Sequence, residues 1–150
     1  MKRTKQRGAA TVELALVLPL LLALIFGIVQ FGWLMNNYLV LTNAASLGAH
    51  QLAAERGYAS PASDAIAAVQ SQTGALNGTV TISMSVGGTP CTSNSACASA
   101  LGSNTQAPAA GTQATVQIGY TFAPLFGGKL DNLKSIMPVS LSATMSEVVQ

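Results

Sequence analysis

The chain has 150 residues, of which 49% are apolar and only 8% charged, against about 25% charged in ordinary soluble domains. Its formal net charge of +2 is concentrated in a leader carrying Lys2, Arg3, Lys5 and Arg7. Beyond Gly8, only Arg56, Lys129 and Lys134 face Glu13, Glu55, Asp64, Asp131 and Glu147. The body is therefore weakly acidic and has no cluster of cations to displace counterions from phosphates, which argues against nucleic acid as a partner.

Residues 1–8 form the basic leader. No Asp, Glu, Lys or Arg occurs from Leu14 to Ala54, and the run Leu14–Leu34 is interrupted only by Pro19, Gly27, Gln30 and Gly32. About 20 residues of helix cross the roughly 30 Å of bilayer hydrocarbon. A backbone in lipid must satisfy its own hydrogen bonds, so residues 9–35 are expected to form a transmembrane helix, bent locally where Pro19 removes a donor. The cations before the span place Met1–Gly8 in the cytoplasm and the body outside, by the positive-inside tendency. An ordinary cleaved secretory signal fits poorly, because the apolar run is long and Asn36-Asn37 follows it without an Ala-x-Ala site.

The helix is expected to continue as an amphipathic extension over residues 36–57. Tyr38, Leu41, Ala45, Gly48 and Leu52 recur at three- and four-residue spacing on one face, with Asn36, Asn43, Ser46 and His50 opposite. Glu55-Arg56-Gly57 reads as its end, with glycine at the cap. Residues 58–150 follow as an outer globular domain. Ser60-Pro61 reads as an N-cap with proline in the first helical position, opening a helix to about Thr73 with Ala62, Ala65, Ile66 and Val69 buried and Gly74 at its end.

The period then changes to two. Val80, Ile82, Met84 and Val86 alternate with Thr and Ser, as do Ala114, Val116, Ile118, Tyr120 and Phe122, and Val139, Leu141, Ala143 and Met145. Each run predicts a strand with one buried and one wet face, suited to an antiparallel sheet. A further helical turn is expected through Leu130, Leu133 and Ile136. The polar stretch 87–112 between the first two strands reads as a long loop. It contains Cys91 and Cys97, the only cysteines. Outside the cytoplasm a disulfide is their expected state. Two cysteines without a nearby histidine are too few ligands for a metal, and C-x5-C is not the redox C-x-x-C spacing.

No catalytic constellation is visible. His50 is the only histidine, the carboxylates are scattered, and no serine has a positioned base in the pattern. The expectation is a non-enzyme without cofactor or metal. Its fold class is α+β: a long N-terminal transmembrane helix whose C-terminal half packs on a small antiparallel sheet of three or more strands.

The junction Arg7-Gly8-Ala9-Ala10-Thr11-Val12-Glu13-Leu14, a basic leader ending in Gly with a Glu just inside an apolar helix, resembles the class III signals of type IV pilins and pseudopilins. With Phe26-Gly27 and Thr42-Asn43-Ala44-Ala45, residues 5–57 are similar to the TadE-like family, minor pilins or pseudopilins of tight-adherence (Tad) pilus systems. The remainder agrees only in outline, and a helix laid on an antiparallel sheet is also pilin-like architecture. The resemblance implies cleavage between Gly8 and Ala9 by a prepilin peptidase. It implies that Glu13 then docks against the N-terminal amine of a neighbouring pilin. Physically, a carboxylate in hydrocarbon is costly unless paired or able to reach water, so Glu13 can equally snorkel to the cytoplasmic interface. The implied partners are other pilins or pseudopilins, pilus assembly proteins, the peptidase and membrane lipid. The implied location is the bacterial inner membrane, single-pass, with passage into a surface pilus. The alternative is an accessory protein, anchored in that membrane, that never enters the fibre.

Overall fold

The computed structural model describes residues 6–103, 105–106, 108–122 and 140–150, with backbone only for residues 6–9. The chain divides into two compact units, Met1–Met35 and Asn36–Gln150. The expected turn through Leu130, Leu133 and Ile136, and Val139 at the start of the third predicted strand, lie outside the described residues.

Helix α1 runs from Gln6 to Ala54 and passes through Pro19. It ends as the sequence indicates. The Glu55 amide donates to the Leu52 carbonyl, the Tyr58 amide donates to the Glu55 carbonyl, and Gly57 adopts a φ of 81°, a conformation that costs glycine least.

In the second unit, Leu41, Ala44, Ala45, Ala49, Leu52 and Ala53 of α1 are at most 1% exposed. Asn36, Asn43, Ser46 and His50 are exposed as expected. Tyr38 is not on the buried stripe: it is 43% exposed, and Asn37, at 2%, takes that place. The helical positions 37, 41, 44, 45, 48 and 52 form one face, so the true stripe begins one residue earlier and with a polar side chain.

Gly48 lets this face approach its neighbours. A Cβ placed there would lie 2.5 Å from Val69 Cγ2 and 3.4 Å from Val116 Cγ1. Replacing Gly by Ala in a helix gains up to about 1 kcal/mol of propensity, but overpacking a stiff buried valine costs about 1–3 kcal/mol. Gly48→Ala is therefore expected to destabilise the outer unit by about 1 kcal/mol, read as a lower thermal midpoint of the detergent-solubilised chain. An unchanged or raised midpoint would show that Val69 yields freely.

Helix α2 spans Pro61–Thr73 and buries Pro61, Ala62, Ala65, Val69 and Thr73, while Ile66 is only half-buried. Its end at Gly74 agrees with the sequence reading, the glycine amide donating to the Gln70 carbonyl at 3.0 Å. Its start agrees in position only: Ser60 makes no side-chain cap. Asn94 Oδ1 accepts from the Ser63 amide at 2.9 Å instead, so the cap comes from a residue distant in sequence.

Strand β1 (Val80–Val86) turns at Gly87-Gly88 into the two-residue β2 (Thr89–Pro90). The φ values of 57° and 81° at these glycines give the primed hairpin turn that suits twisted strands. Helix α3 (Asn94–Leu101) follows, with Ser93 Oγ accepting from the Ala96 amide as its N-cap. The stretch 87–112 is thus not one loop: it holds β2 and α3. Strand β3 (Gln113–Thr121) and strand β4 (Ser140–Val148) complete an antiparallel sheet of order β2-β1-β3-β4.

The register is regular. Ile82 faces Ile118, which faces Ala143, and Met84 faces Val116, which faces Met145. Ala114, Val116, Ile118, Tyr120 and Phe122 are buried as the alternation predicts. The other sheet face carries rows of polar side chains: Ser85, Thr115 and Ser146; Ser83, Gln117 and Thr144; and Thr81 and Ser142 on either side of Gly119.

Candidate assembly surface

In the described part of the first unit, α1 leaves most side chains from Ala10 to Met35 exposed. Leu16 and Leu20 are 76% and 74% exposed, and Val12, Leu14, Leu24 and Ile28 are exposed beside them. A helix apolar on every side is stable only when lipid or other helices cover it. Residues Ala10–Ala54 form a helix long and apolar enough to cross a membrane, and its most apolar window is uncovered. No atom lies within 4 Å of a Cβ added at Gly27 or Gly32, so another helix could approach closely at both points.

The Gly8–Ala9 peptide lies within α1. Glu13 follows one helical turn after Ala9 and is exposed. The structure thus places the two predicted cleavage residues and the predicted docking carboxylate on one continuous helix. Charge is then absent until Glu55.

The second predicted feature is the cysteine pair. Cys91 and Cys97 are disulfide-bonded, with Cα atoms 4.9 Å apart, and they are 1% and 0% exposed. The bond closes a short loop, for which the chain-entropy estimate is about 2 kcal/mol. It fixes α3 against the strand end, and α3 carries Asn94. The Asn94 side chain holds the Ser63 amide and donates to Ser63 Oγ at 3.4 Å. The disulfide therefore also positions the cap of α2. Its burial fits a staple rather than a reactive centre.

Three buried polar side chains were not visible as such in the sequence. Gln30, Asn37 and Glu55 are 7%, 2% and 8% exposed. Both Gln30 amide atoms, Asn37 Nδ2 and Glu55 Oε2 have no hydrogen-bond partner; Glu55 Oε1 accepts from Gln51 at 2.7 Å. An unmet buried polar group costs about 1–3 kcal/mol. For Asn37 the usable signal was its four-residue spacing to Leu41. Among the described residues, no three His, Cys, Asp or Glu side chains come together.

Comparison with known proteins gives one finding. The family model described as TadE-like protein matches residues 8–50, in agreement with the resemblance carried by the leader junction and the helix. The match begins at Gly8 and ends within α1, so the sheet lies beyond it. Neither the curated proteins nor the solved structures give a match.

Proposed function

We propose that this protein is a minor pilin or pseudopilin of a Tad-type pilus, a structural component rather than an enzyme. The observation that carries this reading is the coincidence of three things: the junction Gly8-Ala9 with Glu13, an exposed apolar helix beginning there, and the TadE-like match starting at residue 8. Residues 1–8 stay in the cytoplasm and the sheet domain lies outside the bacterial inner membrane. A prepilin peptidase removes the leader at Gly8–Ala9. The bare helix then exchanges lipid for the helices of other pilins, with Gly27 and Gly32 permitting close contact. Glu13 meets a neighbour's new N-terminal amine, which neutralises a carboxylate that hydrocarbon would otherwise penalise.

The test is the N-terminal sequence of the protein recovered from membranes. Ala9 as first residue is the expected result. Retention of Met1 overturns prepilin processing and favours a permanently anchored accessory protein of the same machine.

A further inference from the structure

We propose that Asn77 is a self-modification site: in the folded protein the Gly78 main-chain nitrogen attacks the Asn77 side chain, and water converts the residue to isoaspartate and aspartate.

Asn77-Gly78 is a turn-forming dipeptide, and the structure leaves it open. Residues 76–79 belong to neither helix nor strand, and Asn77, Gly78 and Thr79 are exposed. The turn is held through its carbonyls. Tyr120 Oη donates to the Asn77 carbonyl at 3.0 Å, and the Thr121 amide donates to the Thr79 carbonyl at 3.1 Å. Among the described residues, nothing bonds the Asn77 side-chain amide or the Gly78 main-chain amide. The two groups that must meet are therefore both unrestrained.

Asparagine is a thermolabile residue, and the reaction needs only water as co-reactant. Gly78 N gives its proton to solvent and bonds to Asn77 Cγ. The Cγ–Nδ2 bond breaks, Nδ2 takes a proton, and ammonia leaves behind a cyclic imide. Water then opens the imide. Cleavage at Cγ gives aspartate. Cleavage at the Asn77 main-chain carbonyl carbon gives isoaspartate, with the chain running through Cβ and Cγ. The hydrogen bond from Tyr120 favours the negative charge that the peptide unit carries as its nitrogen attacks. The missing side chain of Gly78 leaves the approach clear.

Glycine is fixed here by packing. A Cβ at residue 78 would lie 2.5 Å from the Thr121 carbonyl oxygen and 2.7 Å from Tyr120 Cε2. The residue that makes Asn77 reactive is thus the one that the contact with β3 demands.

The other described asparagines are held. Asn36, Asn37 and Asn43 lie inside α1, where the following amide is bonded within the helix. Asn94 opens α3, and its side chain is bonded to Ser63 through both Oδ1 and Nδ2. The reaction is therefore selective for Asn77 among them. Its product adds a negative charge at the entry to β1. In the isoaspartyl form Cβ also enters the main chain beside Gly78, whose space is already filled, so the Thr79–Thr121 hydrogen bond is the first to give. The reaction does not depend on leader removal or on fibre entry.

The test incubates the detergent-solubilised full chain at mildly alkaline pH in water enriched in heavy oxygen, beside a synthetic peptide spanning Gln72–Ile82. Peptide mass spectrometry is expected to show heavy oxygen entering at Asn77 at a rate within about tenfold of the free peptide's, since the fold adds little to the barrier. Isoaspartate, located by backbone fragmentation, is expected beside aspartate. The other described asparagines are expected to stay amides over the same period. Asn77→Gln, whose longer side chain closes the ring far more slowly, is expected to leave its peptide unlabelled. A rate in the folded chain more than about tenfold below the peptide's, aspartate as the sole product, equal conversion of any other described asparagine, or undiminished labelling with Asn77→Gln overturns the proposal.

Discussion

Gly8→Arg is expected to leave the leader on the protein and to abolish its appearance in sheared surface fibres. The Gly8–Ala9 peptide lies in a helix, and a scissile carbonyl must leave helical geometry to enter a peptidase. Glycine makes that opening easier, because it disfavours helix by about 1 kcal/mol relative to alanine. Arginine is a good helix former and adds bulk and charge beside the bond. Both effects oppose cleavage. The readouts are N-terminal sequencing and immunoblots of membrane and fibre fractions. The variant should still enter the membrane, since the span is untouched and the leader gains a cation. Normal leader loss together with normal piliation would end the pilin-like reading.

Glu13→Ala should separate insertion from assembly. Removing a carboxylate from the start of an apolar helix does not hinder insertion. In a fibre it would strand the neighbour's amine in a site without water, and breaking one side of a buried ion pair costs about 3–5 kcal/mol. A difference of 3 kcal/mol is more than a hundredfold in equilibrium, so the variant should be nearly absent from fibres while remaining at wild-type level in membranes. Glu13→Gln keeps the shape and loses the charge, and it should behave like the alanine variant. If the glutamine variant enters fibres normally, Glu13 only reaches the cytoplasmic interface.

The parts of the fold governed by a strict period were legible in the sequence. Alternation placed Val116, Ile118 and Tyr120 inside, and proline and glycine bracketed α2 correctly. What was hidden depended on contacts distant in sequence. Ser60 takes the N-cap position as read, but the side chain that accepts from the first turn of α2 is Asn94, which comes from across the fold. Helix α3 is built largely from Ser and Ala around a disulfide. Such residues give no apolar stripe, and the stretch resembled a loop. Tyr38 and Asn37 lie three and four residues before Leu41, so the spacing alone did not separate them. For the candidate site, Gly8, Ala9 and Glu13 were legible as a motif because they lie close together in the chain. The apolar character of the helix from Leu14 to Leu34 was legible from composition alone. The edge position of β4 among the described strands was not, since an edge exists only once strand order is known.

Strand order also has a consequence for biogenesis. Strand β3 is central: it pairs with β1 before it and with β4 after it, and β4 occupies residues 140–148. As the chain emerges N-terminus first, β1 and β3 can pair, but Ala114, Val116 and Ile118 have no second neighbour until Ser140–Val148 arrives. During that interval the nascent sheet presents an open seam in its middle strand, the kind of surface that invites mispairing. Completion of the sheet is thus gated by β4, the last of the described strands to emerge.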